Sequence, residues 1–140
     1  MPFDNILVAI DGSDGSNRAF EKAVELARLT GATLIALAVE GPLPAYAATV
    51  GEVEEVKREK DSFFRGLAAK AKREAEAAGV EVEVDVRAGH AADLIVRYAR
   101  ERHVDLLVVG HKGHFLEDYL LGSTADRVAH HAHCPVMIVK

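Results

Sequence analysis

Residues 105–113 read Asp-Leu-Leu-Val-Val-Gly-His-Lys-Gly, a continuous apolar run that ends in a glycine-bearing loop. Leucine and valine without polar alternation mark a strand buried on both faces, as in the centre of a parallel sheet. Parallel neighbours need crossover connections, usually helices, rather than tight hairpins. The flanking sequence supplies them. Ala91 to Arg102 is helical in pattern, with Leu94, Ile95, Tyr98 and Ala99 directed inward. Downstream, Ser123 can cap a helix, Asp126 favours that helix's positive end, and the segment closes near His133 before a final strand, Pro135 to Val139.

The same alternation continues toward the N-terminus. Val80 to Arg87 places Val82, Val84 and Val86 on one face and Glu81, Glu83, Asp85 and Arg87 on the other, the pattern of an edge strand with a solvated face. Glu52 to Ala78 is a long helical pattern carrying Val53, Val56, Phe63, Leu67, Ala71, Ala75 and Ala78, and its length predicts that it extends beyond the sheet. Glu40 to Gly51, with Gly41, Pro42, Pro44 and Gly51, reads as a long loop of the kind that serves as a lid or binding segment. Thr33 to Val39 is a buried strand. Asp14 to Thr30 is an amphipathic helix with Ala19, Phe20, Ala23, Val24 and Ala27 on one side, closed by Gly31. Ile6 to Ile10 is the first strand and ends in the turn cluster Asp11-Gly12-Ser13. Five strands joined by crossovers predict an α/β fold: one doubly wound, five-stranded parallel sheet with helices on both faces.

Composition narrows the function. The chain has 140 residues, enough for one domain over residues 1–140, and its formal net charge of −5 comes with basic residues scattered among acidic ones. A phosphate-backbone footprint is therefore absent, and nucleic acid is not an expected partner. No apolar run approaches a membrane span, Met1 to Ile10 lacks the pattern of a targeting segment, and Cys134 has no second cysteine to pair with. A cytoplasmic protein without a membrane partner is the expectation.

In open parallel sheets, ligands bind beyond the carboxyl ends of strands where neighbouring connections diverge. Two segments meet that description: Ala9-Ile10-Asp11-Gly12-Ser13, and Val109-Gly110-His111-Lys112-Gly113 followed by Gly122-Ser123-Thr124 at a helix start. Glycines let the backbone approach a phosphate, and amides at a helix N-terminus donate to it. The spacing is neither a P-loop nor a dinucleotide fingerprint.

Asp11 in Ala-Ile-Asp-Gly-Ser, Asp105-Leu-Leu-Val-Val-Gly110, Gly110-x-x-Gly113 with Gly122-Ser123, and the ending Cys134-Pro-Val-Met-Ile-Val139 together resemble universal stress proteins across essentially the whole chain. The resemblance implies strand order 3-2-1-4-5, binding of ATP or AMP, and homodimers that pair through their last strands, here Val136, Met137, Ile138 and Val139. It further implies that Asp11, next to Ala9, faces the ribose or adenine and that Val39 offers backbone atoms to adenine. Gly110 and Gly113, following Val109, would admit ribose and phosphates, with Gly122, Ser123 and Thr124 holding phosphates; apart from the resemblance, the charge of Lys112 suits a place beside such a phosphate cradle. One departure is that His114 to Leu121 makes the spacer between the second and third glycines a residue shorter than is usual in that family. This makes an adenine nucleotide in general a firmer expectation than ATP in particular.

Other readings compete for the same residues. Asp11 also suits a turn or cap, and Lys112 and His111 suit a solvated loop. His130, His131 and His133 beside Cys134 have metal-ligand chemistry, but adjacent helical residues point apart and cationic histidines are favourable at a helix C-terminus. No catalytic set emerges, because Asp11 with a magnesium ion is the only hydrolytic chemistry available. The leading expectation is a nucleotide-binding regulatory or sensor protein for stress responses. The alternatives are an interaction module that keeps the fold without nucleotide, and a weak ATP hydrolase.

Overall fold

Ile6, Leu7 and Val8 are completely excluded from solvent. Successive strand residues point to opposite faces, so the first strand must be covered on both sides. The computed structural model, which describes residues 3–41, 50–111 and 124–140, shows how. The elements follow in the order β1 (Asn5–Ile10), α1 (Asp14–Thr30), β2 (Thr33–Glu40), α2 (Val50–Ala77), β3 (Val82–Ala88), α3 (Ala91–Glu101), β4 (Leu106–Gly110), α4 (Thr124–His131) and β5 (Val136–Val139). The strands form one parallel sheet ordered β3-β2-β1-β4-β5. The expected α/β class and strand order are therefore observed.

Strand alternation divides the core into two layers. Ile6, Val8, Ile10, Leu34, Ala36, Ala38, Leu106 and Val108 pack with Phe20, Ala23 and Ala27 of α1 and Ala71 and Ala75 of α2. Leu7, Ile35, Leu37, Leu107 and Val109 pack with Leu94, Ile95, Tyr98 and Ala99 of α3 and Val128 of α4. Each large aliphatic side chain withdrawn from water in this way contributes about 1.5–3 kcal/mol. In register, Ile6 pairs with Leu34 on one side and Leu106 on the other. Among the described residues, no helix is long and apolar enough to cross a membrane.

The beginnings of β1 and β4 are clasped together. Asp105 accepts backbone hydrogens from Asp4 (2.7 Å) and Asn5 (3.0 Å), and its own N–H donates to the Asn5 carbonyl at 3.0 Å. The connection from α1 to β2 is closed by glycine. Gly31 caps α1 at φ 74°, donating to the Ala27 carbonyl, and a side chain at that φ would be strained.

Three expectations need correction. Helix α2 begins at Val50, so Gly51 lies in its first turn rather than in a loop, and β2 extends through Glu40. Residues 42–49 of the expected loop lie outside the described residues. Phe63, expected inward, is 51% exposed, while Phe64 packs against the core. Both phenylalanines fit a three-to-four spacing with Leu67 and Ala71, and the helix's position over the edge of the sheet decides between them. Finally, the polar face of β3 is not simply solvated. Asp85 accepts from the Tyr98 hydroxyl at 3.1 Å and from Arg87 at 3.2 Å, Arg102 donates to the Tyr98 hydroxyl at 2.8 Å, and Arg102 also pairs with Glu83. Both Arg87 and Arg102 stand 5.4 Å from the Tyr98 ring centre. Burial, followed by the Asp85 charge, pushes the Tyr98 phenol up to about 12.

Candidate functional site

Helix α1 leaves the end of β1 toward one face of the sheet, and α4 follows β4 on the other. Adjacent parallel strands whose connections diverge leave a crevice at their carboxyl ends. The β1–β4 ladder runs through Val8 and Val108, so Ala9 and Val109 follow it at the mouth. Ala9 and the half-buried Val39 pack against the α3/α4 layer, and Val109 is buried within it.

The first wall is a tightly bonded turn. One Asp11 carboxylate oxygen accepts the Ser13 N–H at 2.9 Å, and the Asp11 N–H donates to the Ser16 hydroxyl at 3.1 Å. Ser13 caps α1 by accepting the Ser16 N–H at 3.2 Å, and the Ser16 hydroxyl donates to the Ser13 carbonyl at 3.3 Å. Ser16 is 7% exposed, so these bonds replace water around a buried hydroxyl. The turn-forming role of Asp11, one of two readings of that residue, is thus present. Gly12 has φ 84°, and a Cβ there would stand 3.1 Å from the Phe63 ring and 3.9 Å from Leu67. The exposed Phe63 therefore serves as a shoulder for this turn.

The second wall presses against the first. A Cβ on Gly15 would lie 2.6 Å from the His111 carbonyl oxygen, and a Cβ on Gly110 would lie 2.3 Å from the Gly15 carbonyl oxygen. Neither position tolerates a side chain, because backbone faces backbone. The His111 N–H donates to the Val139 carbonyl at 2.8 Å, tying this loop also to the end of β5. Gly110 was expected to make room for a ligand, and what it demonstrably makes room for is α1. Gly15 was not singled out from the sequence. Its only signal there is that glycine is a costly choice just inside a helix.

Thr124 is half-buried at the first position of α4, with Asp126 in the same turn. Lys112, Gly113, Gly122 and Ser123 lie outside the described residues. At the far end of α4, His130 Nδ1 is 2.8 Å from the Asp126 carbonyl oxygen, a contact within the helix. No group of metal-binding side chains occurs among the described residues. Cys134 is half-buried, and burial, reinforced by Asp105, raises its thiol above the ordinary value, which opposes thiolate chemistry.

Comparison with known proteins gives this geometry relatives. The model of the Universal stress protein family matches residues 2–140. A universal stress protein of Bacillus subtilis (strain 168) is 35% identical, covering 99% of this chain and 99% of its own. Among solved structures, universal stress protein UspA from Lactobacillus plantarum has a TM-score of 0.83 at 26% identity, covering 98% of this chain and 97% of the other. A universal stress protein in complex with cAMP has a TM-score of 0.77 at 28% identity, covering 100% and 99%.

Proposed function

This chain belongs to the universal stress protein family, and from that membership we propose that it binds an adenine nucleotide in the crevice between β1 and β4, as a cytoplasmic regulatory or sensor domain over residues 1–140. The observation that carries the reading is that β1 and β4 are adjacent while α1 and α4, which follow them, pack on opposite faces of the sheet, the arrangement that leaves a ligand crevice at the carboxyl ends of the strands. The similar protein in complex with cAMP supports the adenine nucleotide as its class of ligand.

In this reading Ala9 and Asp11 bound the ribose or adenine side, and the backbone of Val39 meets the base. Val109 and Gly110 lead into the phosphate loop, with Lys112, Gly113, Gly122, Ser123 and Thr124 taking the phosphates by their place in the sequence. Helix-start amides and the helix dipole supply the attraction for that charge. Mg2+ would enter as the companion of a triphosphate, offsetting part of its charge. A ligand here regulates only by favouring one conformation over another.

The test is calorimetric titration of the protein with ATP, AMP and cAMP, with and without Mg2+, alongside mass spectrometry of any ligand released on denaturation. Saturable binding of at least one adenine nucleotide is expected. Asp11→Ala should weaken it by about 1–3 kcal/mol if the carboxylate bonds the ligand. Absence of binding by all three nucleotides overturns the reading in favour of an interaction module.

We also propose a twofold homodimer in which Val136, Met137, Ile138 and Val139 of β5 pair antiparallel with their copies. The position of β5 at the sheet edge, with Met137 and Ile138 37% and 38% exposed, supports it.

A further inference from the structure

A groove of about 370 Å³ lies between α3 and α4, lined by residues other than those of the crevice walls. One wall is a stripe of α3 formed by Ala92, Asp93, Val96, Arg97 and Arg100, and the other is formed by Arg127 and His131 of α4. The α3 stripe, from position 92 to 100, extends about 12 Å at the helical rise. On the α3 wall the half-buried Val96, with the buried Ala92 a turn before it, gives the groove an apolar stretch beside its arginines.

Three arginines against one carboxylate make this a positive feature on a chain whose formal net charge is −5. Among the described residues, Arg97, Arg100 and Arg127 form no ion pair, whereas Arg87 and Arg102 at the β3 edge are both paired with carboxylates. All three cations are arginine, whose planar fork suits bidentate contact with carboxylates and whose weak hydration lowers the cost of covering it. A bare inorganic anion would use the arginines and leave the apolar surface wet. An acidic peptide with an apolar residue between its carboxylates would use both.

We propose that the α3/α4 groove docks an acidic, apolar-centred peptide segment of a partner protein, with Arg97, Arg100 and Arg127 holding its carboxylates and Ala92 and Val96 receiving the apolar side chain. This site is separate from the nucleotide reading and stands without it. Charge complementarity of this kind governs both encounter rate and choice of partner.

The test is an array of short peptides that place glutamate or aspartate at varied spacings around one leucine, probed with the intact protein, with positive peptides measured by fluorescence anisotropy. Acidic peptides containing leucine should bind, and affinity should fall about tenfold or more in Arg97→Glu and in Arg127→Glu. Arg97→Gln and Arg127→Gln should give smaller losses in the same direction, with circular dichroism melting confirming that each variant is folded. Absence of binding across the array, or equal affinity in the folded variants, overturns the proposal. Binding of inorganic tripolyphosphate with no binding of the peptides overturns it in favour of a bare polyanion site.

Discussion

At the β3 edge of the sheet, Glu83, Asp85 and Arg87 engage Tyr98 of α3 and Arg102 at its C-cap, whereas at the β5 edge Met137 and Ile138 present apolar side chains to solvent. The contrast lies in what each edge asks of its surroundings. Charges directed toward a neighbouring helix give β3 partners within its own protomer and discourage another chain from adding to it. Val136 to Val139 of β5 carry no charged side chain, and the proposed dimer would cover their exposed surface with a second copy. Two edges of one sheet thus encode different answers to the same problem of unpaired backbone groups.

The largest expected effect comes from emptying the β3 arrangement at its centre. Tyr98 is 3% exposed, and Tyr98→Ala would remove a buried ring and leave the Asp85 and Arg102 side chains without their shared hydroxyl. Urea unfolding should show a loss of about 3–5 kcal/mol. A loss below about 1 kcal/mol would mean that the closed edge contributes little to the fold.

At the other edge, Ile138→Lys should act on assembly more than on the protomer. Light scattering is expected to give a dimer for the parent at micromolar concentration and a monomer for the variant, with protomer stability changed by less than about 1 kcal/mol because the side chain is partly exposed. A monomeric parent would remove the proposed pairing and leave β5 an unprotected edge.

The smallest effect sharpens the comparison through pH. Tyr98 is raised from 10.0 to about 12, so between those values the folded state holds a proton that the unfolded state has released. Its contribution to stability is complete below pH 10 and declines as pH rises through about 12. The parent should therefore lose more stability over this interval than Tyr98→Phe does, as measured by denaturant titration at each pH. Equal losses would deny that the phenol is held by its surroundings.

The parts legible in the sequence are those governed by local periodicity. Alternating valines identified β3 as an edge, and continuous apolar runs identified β4 as central. The bonding of the polar face of β3 was not legible, because Tyr98 and Arg102 come from the next helix and its C-cap, and their spacing of four says nothing about which strand residues they meet. Placing Phe63 rather than Phe64 on the apolar stripe of α2 failed for a related reason: adjacent aromatics can both satisfy a helical stripe. At the candidate site, the Asp-Gly-Ser turn and the glycine after β4 were visible, yet the close approach of Gly15 to Gly110 was not. That contact joins residues nearly a hundred positions apart, and only the folded chain brings them to a distance where a Cβ would collide.

The clasp made by Asp105 with Asp4 and Asn5 has a consequence for the order of assembly during synthesis. One side of β1 pairs with β2, which emerges soon after it, but the other side must wait for β4, about a hundred residues later. During that wait Ile6, Leu7 and Val8 offer an apolar strand edge to whatever is nearby, and closing so long a loop is slow in entropic terms. The centre of the finished sheet is therefore among the last parts of the nascent chain to be sealed. In that interval, an emerging chain is most exposed to capture by a neighbour or a chaperone.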